Sequence, residues 1–169
     1  MCIRDRDYRP YSWASKEEVA VYYSMTAKMS DIIIGSREEF DLMEALIDPE
    51  NNSDEVTANR WFDYRAKIVV IKHGKEGSIG YTKDGKSYKV KPFPVKLLKS
   101  FGGGDAYASA FLYGLMEGWD VEKSLEFGSA SAAMLVASHS CSEAMPTVKE
   151  VKEFIKKAEE EHGEVAIKS

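Results

Sequence analysis

The chain has 169 residues, 23 basic and 28 acidic side chains, and a net charge of −5. That length suits one domain or part of one, with chain enough for a sizeable core. The 44% hydrophobic and 30% charged content is a globular balance, the acid excess argues against a broad nucleic-acid surface, and no apolar run reaches the ~20 residues that a membrane-spanning helix needs.

Two cysteines, Cys2 and Cys141, make neither a disulfide framework nor a CxxC metal knuckle, so a reducing cytoplasm is expected. Met1 to Arg6 carries no apolar signal region and no helix or strand periodicity, and it reads as a non-native start. The domain proper is then residues 7–169. Asp7 to Trp13 resembles the exit of a strand whose body is missing.

Ser15 to Met29 predicts a surface helix carrying Val19, Tyr22, Tyr23 and Met25. Ile32, Ile33 and Ile34, ending at Gly35, suit a buried strand. Ser36 opens a helix over Arg37 to Ile47, with Phe40, Met43, Leu46 and Ile47 on one face. Asp48 to Ser53 is a loop, and Glu55 to Arg65 is another helix. Lys67 to Lys72 is a second buried strand, followed by a hairpin, Ser78 to Thr82 and Lys86 to Val90, with Asp84-Gly85 at its turn. Pro92 and Pro94 exclude a helix directly after it. Gly103 to Glu117 reads as a buried helix. Val121 to Ser138 is a helix whose small residues, Gly128 to Ala133, allow a neighbour to come close. Thr147-x-x-Glu150 is a capping box opening an amphipathic helix, and the tail beyond is expected to fray. Alternating strands and helices predict an α/β fold with a mainly parallel sheet.

One motif is a decoy. Gly80 to Ser87 matches the phosphate-loop pattern GxxxxGK followed by Ser or Thr. That chemistry requires a helix N-terminus aimed at the phosphates. The residues after Ser87 alternate and run into two prolines, so the match is read as a hairpin turn.

The informative stretch is Lys99-Ser100-Phe101-Gly102-Gly103-Gly104-Asp105-Ala106-Tyr107. Three glycines precede a buried helix, and an acid sits in its first turn. Amides at a helix start are unpaired and lie at the positive end of the dipole, so an anion can approach them closely. Asp105 beside that anion could take a proton from an attacking hydroxyl. By itself, GGGD has a plainer reading, a turn followed by an acid that complements the dipole.

The stretch resembles the C-terminal signature of the ribokinase-like, or PfkB, family of carbohydrate kinases. The resemblance implies a three-layer α/β/α fold, with Asp105 as catalytic base and the amides of Gly102, Gly103 and Gly104 as anion hole. Gly103 replaces a common alanine. Lys72 to Ser78 is similar to the family's nucleotide loop, which implies nucleotide contacts at Gly74 and Gly77. Ser138 and His139 fall near the nucleotide end. Ser36-Arg37-Glu38-Glu39 stands where the family carries Asn-x-x-Glu, which implies that Glu39 meets magnesium through water. Equally, Ser36 and Glu39 form a capping box, and one residue can serve both roles. Arg9, in Asp7 to Pro10 with Trp13, resembles an Asn-x-Arg segment that meets substrate or phosphate. Lys99 occupies a position where many relatives have a cation-binding aspartate, so its ammonium is expected to replace that ion and potassium activation to be weak or absent. His139 and Cys141 are expected to form a helix-exit turn with a buried thiol, since one His and one Cys at this spacing make no zinc site, and His73 is expected to be an exposed or lining residue of the nucleotide loop rather than a base.

The resemblance covers the C-terminal half of a family member, without the small lid that often makes a dimer. It implies ATP and Mg2+ as cofactors and a sugar acid as the small-molecule partner, with no nucleic acid and no membrane. The run from Ser138 to Thr147 and the Lys-Ser-Phe lead-in are similar to the inositol-catabolism subfamily, which phosphorylates a deoxy-keto-sugar acid on its primary hydroxyl. Alternatives are kinases of 2-keto-3-deoxygluconate or fructose, and a noncatalytic nucleotide-binding module. This chain alone is expected to bind nucleotide weakly at best and not to turn over sugar.

Overall fold

The computed structural model describes residues 3–5, 12–99, 101–140, 144–162 and 166–167, with only the backbone described at 3–5, 162 and 166–167. Arg9, Ser100 and Cys141 therefore lie outside the described residues. Two compact units are formed, Met1–His73 with Ile79–Ser87, and Gly74–Ser78 with Tyr88–Ser169.

The first unit contains β1 (Ile3–Asp5), α1 (Lys16–Lys28), β2 (Ile32–Ser36), α2 (Arg37–Glu44), α3 (Asp54–Phe62) and β3 (Ile68–Lys72). Strand β2 pairs in parallel with β1, Ile3 opposite Ile32, and with β3, Ile32 opposite Ile68. Both inner strands are continuous β-branched runs, as a parallel strand covered on both faces requires. The strand at Ile3–Asp5 corrects the reading of residues 1–6 as devoid of strand character. Three residues are too few to show a period, and pairing with β2 decides their conformation.

Ser15 caps α1 by accepting from the Glu18 amide. Its buried stripe is Val19, Ala20, Tyr23 and Ala27, while Tyr22 and Met25 are exposed. Helix α2 stops at Glu44 rather than at Ile47. The amides of Ile47 and Asp48 both donate to the Glu44 carbonyl, at 2.8 and 2.9 Å, and turn the chain. Phe40 and Met43 are consequently in the core, whereas Leu46 and Ile47, expected on the same face, are exposed. The core gathers Phe40, Met43, Trp61, Val69 and Ile71. Full burial of each such side chain stabilises by about 1.5–3 kcal/mol, far above the helix propensity differences along the segment.

β4 (Ser78–Thr82) and β5 (Ser87–Val90) form the predicted hairpin. Gly85 takes φ 83 at its turn. The second unit adds α4 (Gly103–Met116), α5 (Val121–Val136), α6 (Val148–His162) and β6 (Ala166–Ile167). In the first unit the strand order is β1-β2-β3-β4, and in the second β5 lies beside β6. Strand β6 pairs antiparallel with β5, Lys89 opposite Ile167, where the tail was expected to fray. Phe93, Phe127, Ala130 and Val151 are in its core. The Thr147 cap opens α6 as the sequence predicts, with the Thr147 amide donating to Glu150 Oε2 at 2.7 Å.

Candidate functional site

Helix α4 starts in a way that the other helices with assigned caps do not. Its N-cap is Gly102, at φ 80 in the left-handed region, with no side-chain cap. By contrast, Ser15, Ser36, Ser53 and Asp120 cap α1, α2, α3 and α5 with side-chain oxygens. The Ala106 amide donates to the Gly102 carbonyl at 2.9 Å, the first bond of the helical ladder. The amides of Gly103, Gly104 and Asp105 precede it and have no carbonyl one turn back to bind. They sit at the positive end of a 14-residue dipole. Asp105 is exposed, and among the described residues it has neither an ion pair nor a side-chain hydrogen bond. A solvated carboxylate beside unpaired amides can accept a proton next to a bound anion.

Helix α5 sets how this start is held. A Cβ at Gly103 would lie 2.8 Å from Val136 Cγ1, so an alanine there does not fit without a shift of a stiff β-branched side chain. The amides of Leu98 and Lys99 both donate to the Val136 carbonyl, at 3.0 and 3.2 Å. Further along, a Cβ at Gly128 would be 2.9 Å from the Tyr107 carbonyl oxygen. The small-residue stripe thus permits the close α4–α5 approach that its composition suggests. Helix α5 ends before Ser138, whose hydroxyl lies 2.7 Å from the Leu135 carbonyl and 2.8 Å from that of Ser140. His139 is exposed.

Gly74 and Gly77 bound a single 3-10 turn with positive φ at both ends, 57 and 96. The Gly77 amide donates to the Gly74 carbonyl at 3.3 Å. A Cβ at Gly77 would stand 2.1 Å from the Val90 carbonyl oxygen, whereas Gly74 faces open space. The turn itself is exposed, but Ser78, directly after it, is buried, and its hydroxyl lies 2.7 Å from that of Tyr107. Sequence reading missed this pair. Neither residue type is informative alone, and 29 positions separate them.

Glu39 is in the first unit. Its Oε2 accepts from the Ser36 amide at 2.7 Å and from the Ser36 hydroxyl at 3.0 Å, a complete capping box. His73 Nε2 lies 2.6 Å from Asp54 Oδ2, and Asp54 also accepts from Arg37 at 3.2 Å. This ties His73 to a structural ion-pair network. Among the described residues, no group of three or more His, Cys, Asp or Glu side chains is placed to hold a metal ion. Gly74, Gly77, Gly102, Gly103, Gly104, Asp105, Ser138 and His139 all belong to the second unit.

The family model of pfkB family carbohydrate kinases matches residues 2–148. The chain belongs to the PfkB family. A 5-dehydro-2-deoxygluconokinase of Clostridium tetani is 70% identical over 166 residues, covering 98% of this chain and 49% of that protein. A PfkB-family chain of this kind therefore spans about half the length of the curated relatives it matches. Among solved structures, ribokinase from Thermotoga maritima superposes with TM-score 0.71 at 25% identity, over 79% of this chain and 44% of that one. Fructokinase with bound ATP from Xylella fastidiosa superposes with TM-score 0.81 at 21% identity, over 92% and 51%. These structures place the chain in the ribokinase-like α/β fold. No described helix is long and apolar enough to cross a membrane.

Proposed function

We propose that the protein of which this chain supplies half transfers the γ-phosphoryl group of ATP to the primary hydroxyl of 5-dehydro-2-deoxy-D-gluconate, giving the 6-phosphate. The observation that carries this reading is an exposed, unpaired Asp105 beside the uncapped amides of Gly103 and Gly104. The 70% identity to relatives named 5-dehydro-2-deoxygluconokinase supports this choice of substrate. In the reaction the substrate hydroxyl oxygen attacks the γ-phosphorus, the bond to the β-bridging oxygen breaks, and ADP leaves. Asp105 takes the hydroxyl proton. The amides at the head of α4 stabilise the charge spread over the transferring group, which is catalysis by positioning and electrostatics.

Magnesium is held mostly by phosphates and water, with one or two carboxylates, so the absence of a carboxylate cluster among the described residues still fits it. When bound, it neutralises phosphate charge. Glu39 is the carboxylate that would meet it through water while serving its capping box. Gly74 and Gly77 shape the nucleotide loop, Ser138 and His139 border the nucleotide, and Arg9 meets substrate or phosphate. The working compartment is the cytoplasm. By itself the chain binds ATP weakly at best and does not turn over sugar.

The test is Asp105→Asn in the protein carrying both halves. Losing the base is expected to lower turnover by roughly 10²–10⁴-fold, with ATP affinity little changed. Turnover within a factor of two of the parent would sink the assignment.

A further inference from the structure

Tyr107 is 5% exposed and Ser78 is 3% exposed, and their hydroxyls are 2.7 Å apart. Burial raises the Tyr107 phenol above its usual range, an effect the Ser78 hydrogen bond offsets only in part, so it stays protonated and able to donate. The two residues stand at telling places. Ser78 opens β4 and is separated from the 3-10 turn, Gly74–Glu76, by Gly77 alone. Tyr107 lies two residues beyond Asp105, within the first turns of α4, and its carbonyl rests against Gly128 of α5.

The bond thus joins the root of an exposed loop to a helix that is firmly held by its neighbour. A buried hydroxyl left without a partner is costly, so the pair resists separation more than its modest net strength suggests. The Gly77 approach to Val90 holds the same root from the strand side. Residues 74–76 are exposed and rely on these two anchors.

We propose that Ser78 and Tyr107 form a positioning pair, which sets the spacing between the Gly74–Gly77 loop and the Gly102–Gly104 amides for a nucleoside triphosphate that spans both. This rests on the nucleotide reading above. Loosening the pair lets the loop sample more positions, and binding must then order it, which weakens affinity. The pair touches no reacting atom.

The test uses the protein carrying both halves, with Tyr107→Phe, Ser78→Ala and the hydroxyl-keeping Ser78→Thr. Amide hydrogen exchange is followed at residues 74–77 and in α5, and Mg·ATP is titrated by NMR into the millimolar range. Tyr107→Phe and Ser78→Ala are expected to speed loop exchange and to raise the ATP dissociation constant, each by roughly tenfold. Exchange in α5 should not change, and Ser78→Thr should restore both values. If Tyr107→Phe does not fold, Ser78→Ala carries the measurement. Unchanged ATP affinity in a folded Ser78→Ala variant overturns the positioning role, even if its melting temperature falls. A parent protein carrying both halves that binds no ATP overturns the nucleotide reading and this pair with it, an outcome distinct from parent binding that the variants share.

Discussion

Arg60 Nη1 lies 2.6 Å from Glu44 Oε1, and the Glu44 side chain is 1% exposed. The two atoms face each other as an ion pair without hydrogen-bond alignment. The other carboxylate oxygen accepts from Thr57 at 2.8 Å and from Asn51 at 2.9 Å, with Arg37 at 3.5 Å. Burial pulls the Arg60 guanidinium down, but Glu44 and Asp48 more than offset it and hold it above its usual range. This network ties the end of α2 to α3.

Removing that carboxylate leaves two guanidinium groups facing a buried void. Glu44→Ala is expected to destabilise by about 3–5 kcal/mol, the cost typical of breaking a buried pair. Urea unfolding followed by circular dichroism measures it. A loss below ~1 kcal/mol would show that Arg37 and Arg60 find water or other partners.

The two positive-φ glycines beside the 3-10 turn, Gly74 and Gly77, should respond differently. Gly77→Ala places a methyl 2.1 Å from the Val90 carbonyl oxygen at φ 96, where backbone must move. Backbone strain and overpacking together cost roughly 3 kcal/mol or more. Gly74→Ala meets only the strain of φ 57 in open space, about 1 kcal/mol. Thermal unfolding of both variants checks the order, and equal losses would contradict the packing argument.

Lys86 belongs to the phosphate-loop look-alike, yet its Nζ pairs with Asp84 at 2.8 Å on an exposed hairpin. The Asp84 carboxyl is held below the usual range by its hydrogen bonds to Lys86 and Thr82. Lys86→Ala should change stability by no more than about 0.5 kcal/mol and leave phosphoryl transfer by the protein carrying both halves intact. A collapse in turnover would restore the phosphate-loop reading.

Hydrogen bonds from the Thr147 side chain and backbone lower the pKa of Glu150. A carboxyl with a depressed folded-state pKa stabilises above its unfolded value, and that contribution is lost as pH falls through the folded one. Helix α6 should therefore open more readily at acidic pH, below the ordinary glutamate range. In Thr147→Ala this acid sensitivity should shrink. Amide exchange across residues 150–155 between pH 3 and 6 reads it, and identical pH profiles would refute the cap linkage.

Much of the site could be read without coordinates. Glycine before a buried helix, followed by an acid, needs only local backbone chemistry to specify uncapped amides and a first-turn carboxylate, as at Gly102 to Asp105. The β-branched runs of β2 and β3, the Asp84-Gly85 turn and the Thr147 box were legible for the same reason: each acts on its own neighbours in the chain. That α2 would stop at Glu44 was not legible, because its end depends on Arg60 and Thr57 from another helix. Nor was β1, since three residues become a strand only when β2 lies beside them. Gly103 shows the division within one residue. Sequence alone marks it as a place where backbone can meet an anion, while only the seating of Val136 shows that a methyl there would require a neighbouring side chain to shift. Local torsions and hydrogen bonds are encoded over a few residues, whereas burial, ion pairing and close contact belong to whichever distant side chains the fold brings up against them.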